Sequence, residues 1–177
     1  MLQKSMNVII NCAGEVELNS RLDQAIKVNV TGPLNLLKLA EESQNFQCFC
    51  QVSTCYALMD KEGLIEEKVV NSPIDWQSVY QQASQMSKLD IDHYTNTLMG
   101  NFPNTYVFTK RMAEHLLVEN NKKNIPLYII RPSIIGASLE EPVPGWIDSI
   151  GLAGGLYLLG GLGILREIPG NENNIGD

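Results

Sequence analysis

The chain predicts an α/β fold built on a parallel sheet, and three observations carry that expectation. Short β-branched or apolar runs alternate with amphipathic stretches of helical period along the 177 residues. The order is strand, helix, strand, helices, strand, which is the pattern of a sheet with helical crossovers. The three strand ends are polar or small: Asn11 to Gly14, Ser53-Thr54 and Arg131 to Ser133. Sites in such sheets lie at the carboxyl ends of the strands, so these ends mark one expected crevice.

The first strand is read in Asn7-Val8-Ile9-Ile10-Asn11-Cys12-Ala13-Gly14, a β-branched run closed by a glycine. From Arg21 to Ser43, Leu22, Ala25, Ile26, Val30, Leu34, Leu37 and Ala40 recur at helical spacing. Pro33 lies inside that pattern and cannot donate to the carbonyl of Asn29, so a kink is expected there, with that carbonyl released for another partner. Phe46 to Thr54 is the second strand, with Cys48, Cys50 and Val52 on one face. The polar stretch from Tyr56 to Asn101 holds helices from Asp75 to about Lys88 and from Leu89 to Met99. A further helix runs from Asn104 to Asn120, with Ala113, Leu116 and Leu117 facing inward. Leu127 to Ile130 is the third strand.

The 17 residues from Ser149 to Leu165 carry no charge and are rich in glycine. They are slightly short for a membrane span, and the glycines weaken a helix in water. A buried or substrate-lining segment and a membrane contact are both open readings.

The composition excludes several functions. A net charge of −7 with no basic run argues against nucleic acid as partner. Two histidines and no HExxH pattern give metal catalysis no support. Cys12, Cys48, Cys50 and Cys55 form no CxxC pair and are read as reduced, buried small hydrophobes. Met1 leads through a polar turn into a strand with no signal-peptide pattern, so an intracellular protein is expected.

The chemistry is read at Pro103-Asn104-Thr105-Tyr106-Val107-Phe108-Thr109-Lys110. Tyr106 and Lys110 stand four apart, which brings phenol and ammonium to one helix face. A cation there favours the phenolate, so a group with a free pKa of about 10 is expected to exchange protons nearer neutrality. Carbonyl reduction needs such an acid to protonate the oxygen.

Several motifs together resemble the extended short-chain dehydrogenase/reductase family, and more narrowly its alcohol-forming fatty acyl-CoA reductase branch. They are Asn11-Cys12-Ala13-Gly14, Asn29-Val30, Val52-Ser53-Thr54-Cys55-Tyr56-Ala57, the Tyr106 and Lys110 pair, and Ile130-Arg131-Pro132-Ser133-Ile134-Ile135. Glu141-Pro142-Val143-Pro144-Gly145-Trp146-Ile147-Asp148 and the Asn104-Thr105 lead-in point to the branch. The resemblance implies a partial Rossmann-like doubly wound parallel sheet, the C-terminal half of an NAD(P)-binding domain. Residues 136–177 would begin a substrate-binding part. One departure stands out: there is no GxxGxxG loop, and the first strand resembles the family's fourth, so a fragment is expected.

The resemblance further implies NADPH-dependent reduction of a long-chain fatty acyl-CoA, through an aldehyde, to a primary alcohol. Tyr106 would donate the proton and border the cofactor, Lys110 would hold the nicotinamide ribose and tune the tyrosine, and Thr54 would give the carbonyl oxygen a second hydrogen bond. Asn11, Ala13 and Gly14 would lie near the adenosine end of the cofactor, and Pro132 and Ser133 would line the nicotinamide. Ser53 is a cofactor-site candidate that competes with Thr54. Asn29 is a candidate to hold a water in a proton relay, with a plain kink as the alternative. Membrane association, at the peroxisome or endoplasmic reticulum, follows by analogy, through 149–165 or through later segments. The competing readings are a non-catalytic truncated chain and a relative that oxidises a sterol or sugar-nucleotide hydroxyl.

Overall fold

A computed structural model of the chain describes residues 5–59, 61, 63–151 and 153–168. It divides into two compact units, Met1–Arg131 and Pro132–Asp177. The first carries the sheet: β1 (Val8–Asn11), β2 (Cys48–Val52) and β3 (Leu127–Ile130) in the order β1-β2-β3, both pairings parallel. Ile9 sits opposite Phe49, and Phe49 opposite Leu127. All three strands expected from the sequence are present, and the chain is α/β.

The first helical stretch forms as α1 (Leu22–Ile26) and α2 (Gly32–Glu41), joined by one wider π turn over Lys27–Thr31. In that turn the Gly32 N–H reaches back five residues to the Lys27 carbonyl. The irregularity predicted at Pro33 is therefore met by an enlarged turn just before it. A proline ring clashes with the carbonyl four residues back, and an extra residue in the preceding turn relieves the crowding without ending the helix.

Next come α3 (Trp76–Gln85), capped by Asp75, whose side chain accepts the Ser78 N–H, and α4 (Lys88–Met99), capped by Ser87. α5 (Thr105–Asn120) follows. The sequence suggested one inward face for α5. Instead nearly all of it from Thr105 to Leu117 is buried, including Lys110, Arg111 and Glu114. The cause is its position: α5 packs against α1, α2, α3 and the π turn, while Leu117 joins Ile9 and Phe49 on the sheet. An amphipathic pattern cannot reveal that enclosure, because Lys110, Arg111 and Glu114 are buried against carbonyls and a guanidinium from elsewhere in the chain.

One face of the sheet meets α2 and α5 through Ile9, Phe49, Leu37, Ala40 and Leu117. The other face leaves Ile10 67% and Tyr128 58% exposed, with Val8 and Ile130 also open. Cys12 is exposed, and Cys48, Cys50 and Cys55 are half-buried, so the cysteines are free thiols but not core hydrophobes. The helical side of the first unit closes over an aromatic cluster of Trp76, Phe102 and Phe108, with the His115 ring stacked on Trp76 at 5.6 Å.

The second unit contains α6 (Ala153–Gly161) and a turn in which the Ser138 N–H donates to the Trp146 carbonyl. Leu156, Tyr157, Leu158 and Leu159 of α6 are exposed, so the buried reading of Ser149 to Leu165 does not describe this helix. Among the described residues no helix is long and apolar enough to cross a membrane. Residue 152, and residues 169–177 of the part expected to begin a substrate region, lie outside the described residues.

His115 couples the fold to pH. Burial, reinforced by Arg111 and Arg131 and opposed by Glu114, lowers its pKa from 6.5 to about 4. Between those values the unfolded chain takes up a proton that the folded chain refuses, so stability falls as pH drops through that window. Melting temperature against pH should show this loss in the full chain. His115→Phe, which cannot titrate, should lose the component between 6.5 and 4, visible as a difference between the two curves.

Candidate active site

The site is built where α5 begins. Pro103 precedes Asn104, whose side-chain oxygen accepts the Val107 N–H at 2.9 Å and caps the helix. Thr105 ties the first turn to the loop before α1, its hydroxyl donating to the Ser20 carbonyl at 2.8 Å. Tyr106 thus starts from a fixed turn and is half-buried. Its phenol shares a side-chain hydrogen bond with Thr54, two residues beyond β2. Thr54 also caps the short 3-10 turn Cys55–Leu58 by accepting the Tyr56 N–H at 3.3 Å. The phenol and the Thr54 hydroxyl therefore meet at the carboxyl end of β2.

One turn on, Lys110 is buried, and its Nζ donates to the Val52 carbonyl at 3.1 Å. It stands 5.8 Å from the centre of the Tyr106 ring. Burial lowers the Lys110 pKa, while the Cys12 thiol and the Glu114 carboxylate oppose that shift. Burial raises the Tyr106 pKa; the Thr54 hydrogen bond works the other way and Cys55 adds to the rise. The expectation of a phenol drawn toward neutrality by its lysine does not describe this structure. Desolvation of the phenolate outweighs the hydrogen bond from Thr54, and the Lys110 ammonium is partly spent on the Val52 carbonyl. Tyr106 is a protonated phenol.

The remaining sequence candidates divide into those held by other side chains and those left open. Asn11 donates from Nδ2 to Gln51 Oε1 at 2.8 Å and locks β1 to β2. Ser53 donates to Glu114 Oε1 at 2.5 Å, so of the two adjacent hydroxyls only that of Thr54 reaches Tyr106. Asn29 uses its side chain rather than its carbonyl: Oδ1 accepts the Glu15 N–H at 2.8 Å, and Nδ2 donates to the Glu15 carbonyl and to Thr109, both at 3.0 Å. Ala13 is exposed. A Cβ built on Gly14 would lie 3.2 Å from Lys110 Nζ and 3.3 Å from Asn29 Oδ1, so only glycine lets both approach at ease. Pro132 and Ser133 open the second unit as half-buried residues outside any helix or strand.

Glu114 escaped sequence reasoning, and Arg131 was read only as a strand-end residue. Glu114, fully buried, accepts Arg131 Nε at 2.9 Å and Arg131 Nη2 at 2.7 Å. The available signal was the spacing of Tyr106, Lys110 and Glu114, each four residues from the last. Two of the cavities among the described residues border other surfaces, the first reaching the cluster only at Arg131. One of about 580 Å³ runs along β3 by Lys68, Tyr128 and Arg131, and one of about 290 Å³ lies beside Lys38, Tyr80 and Asn120.

A family model described as male sterility protein, an NAD-binding family, matches residues 1–177. The chain belongs to that family. It is 37% identical to fatty acyl-CoA reductase 1 of Homo sapiens over 173 residues, covering 98% of this chain and 33% of that protein. Fatty acyl-CoA reductase 1 of Pongo abelii matches at 37% over 174 residues, with the same coverage. Fatty acyl-CoA reductase 2 of Bos taurus is 33% identical over 171 residues, 97% of this chain and 33% of its own length. The chain thus spans about a third of the curated relatives it matches, as a fragment would. Among solved structures, a thiolation-reductase di-domain from an archaeal non-ribosomal peptide synthetase aligns with a TM-score of 0.54. It covers 86% of this chain and 35% of that one at 24% identity, a likeness of fold.

The family implies a nicotinamide cofactor, and the residues present fit one. An ammonium has three donors, and the Val52 carbonyl takes one from Lys110. Gly14 leaves the space in front of that ammonium free of a side chain. A ribose hydroxyl is the kind of neutral acceptor a buried cation with spare donors can hold.

The Asn29 grip is the local constraint most open to test. Asn29→Ala removes three hydrogen bonds from the link between the π turn, Glu15 and Thr109. It should cost about 3 kcal/mol of stability, measured by denaturant unfolding of the full chain.

Proposed function

We propose that the full protein reduces a long-chain fatty acyl-CoA to a primary fatty alcohol with NADPH. The observation that carries this reading is the Tyr106 phenol, hydrogen-bonded with Thr54 beyond the end of β2 and backed by buried Lys110. Further support comes from the relatives, which are named fatty acyl-CoA reductases. Two reductions are needed, thioester to aldehyde with loss of coenzyme A, then aldehyde to alcohol, consuming two NADPH and two protons.

When bound, the reduced nicotinamide supplies the hydride to the carbonyl carbon. The chain supplies the proton and the position. Tyr106, kept protonated by burial, donates to the oxygen as it becomes negative. Thr54 gives that oxygen a second donor, and the hydroxyl is already held by its capping contact, so little reorganisation is required. Lys110 holds the ribose and offers positive charge to the tyrosinate left behind. Asn11, Ala13 and Gly14 border the adenosine side, while Asn29 and Ser53 act there through the loop and helix they fasten. Pro132 and Ser133 would line the nicotinamide. The apolar surface of α6, in the part from 136 onward, would receive the acyl chain or rest on a membrane. An organelle membrane such as that of the peroxisome or endoplasmic reticulum is the matching location.

The test is Tyr106→Phe in the full chain, with NADPH oxidation followed on palmitoyl-CoA and alcohol measured by chromatography. Turnover should fall by about 100-fold or more. NADPH affinity should stay within about twofold, because the phenol is not a cofactor anchor. Turnover that survives the substitution removes Tyr106 from the chemistry.

A further inference from the structure

We infer that Glu114, clamped between Ser53 and Arg131, is a positioning residue that sets the aim of Tyr106 and Lys110. The inference rests on the reductase reading of that pair and adds a third rung to it. Tyr106, Lys110 and Glu114 follow one another at helical spacing along one stripe of α5, spanning about 12 Å. Their partners are three consecutive residues at the end of β2: Thr54 with Tyr106, the Val52 carbonyl with Lys110, Ser53 with Glu114. Helix and strand end are stitched rung by rung, so a slip of α5 along the sheet breaks all three.

The Glu114 rung is the anchor because it carries the strongest geometry. Its carboxylate is fully buried and takes both ends of a guanidinium fork, Arg131 Nε on Oε1 and Nη2 on Oε2, with Ser53 on Oε1 as well. Arg131, next after β3, is itself fixed by donating to the Lys68 carbonyl at 3.1 Å. Glu114 therefore fastens α5 to two strand ends at once. Buried ion pairs of this kind contribute little net stability compared with apolar packing, whereas they do define geometry. The charged and titratable groups around it are Arg131 from beyond β3 and Lys110 on its own helix. His115 and Arg111 complete the set on α5. Around Lys110 stand Cys12 beyond β1, Glu114 and the Tyr106 ring.

The test uses Glu114→Gln in the full chain, which keeps the size and an acceptor for Ser53 but removes the charge. Three quantities are read: melting temperature, kcat and KM with palmitoyl-CoA and NADPH, and the titration of Lys110 by its 13Cε resonance. The expected result is a kcat lower by about tenfold with KM within about twofold, the pattern of a group needed only at the transition state. The Lys110 titration should move to lower pH, since the carboxylate that opposed its deprotonation is gone. A lower melting temperature with kcat and the Lys110 titration both unchanged overturns the inference and leaves Glu114 a structural pair.

Two controls keep the outcomes separate. If the wild-type full-length protein does not reduce palmitoyl-CoA, the reductase reading falls and takes this inference with it, whereas an active wild type with an unaltered kcat in Glu114→Gln overturns this inference alone. If Glu114→Gln does not fold, Ser53→Ala severs only the strand-end contact. In that variant a kcat lower by about threefold or more with unchanged NADPH affinity supports the rung, and an unaltered kcat overturns it.

Discussion

The enclosure of α5 is the constraint from which the rest follows. A helix buried around most of its circumference gives its polar residues little water, so most are held by partners within the protein, His115 Nε2 being an exception among the described residues. Lys110 meets the Val52 carbonyl, Glu114 meets Arg131 and Ser53, and Thr109 bonds to its own helix and to Asn29. These contacts cluster at the carboxyl ends of β1, β2 and β3. The same burial sets the protonation states: it holds Tyr106 as a phenol and makes the Lys110 ammonium easier to deprotonate. A reductive site uses the first directly, because the oxygen formed by reduction needs a proton that is present beforehand.

Asn29 shows how a backbone irregularity serves the same site. The π turn over Lys27–Thr31 lets the helix continue past Pro33 and carries Asn29 under the loop that leaves β1. Its amide then satisfies both backbone groups of Glu15, next to the one glycine that Lys110 approaches closely. Loop, glycine and ammonium are in this way held by a side chain from an element with no catalytic atom of its own.

Much of this was legible in the sequence, and the parts that were not share a cause. Strand positions, the helix starts at Asp75 and Asn104, and the Tyr106 and Lys110 pair depend on local pattern, which a linear reading captures, whereas the helix expected to run to Lys88 stops at Gln85 and Ser87 caps the next one. The direction of the Tyr106 shift, the enclosure of α5 and the Glu114 to Arg131 pair depend on what packs against a residue from elsewhere in the chain. Glu114 looked like an ordinary polar position on an amphipathic helix, and Arg131 like a strand-end residue. Only the fold brings them within hydrogen-bonding distance. Asn29 was marked for its carbonyl, because proline chemistry points to the backbone, while its amide does the holding.

The sheet face that carries Ile10 and Tyr128 has a practical side. Neither side chain is packed by the described residues, whereas a parallel sheet is normally covered on both faces, so this is the face on which further structure would pack. Bare strands with apolar side chains invite stacking and edge pairing between molecules. The 177 residues produced alone would present that face to one another in concentrated solution, while the helical layer on the opposite side would be untouched.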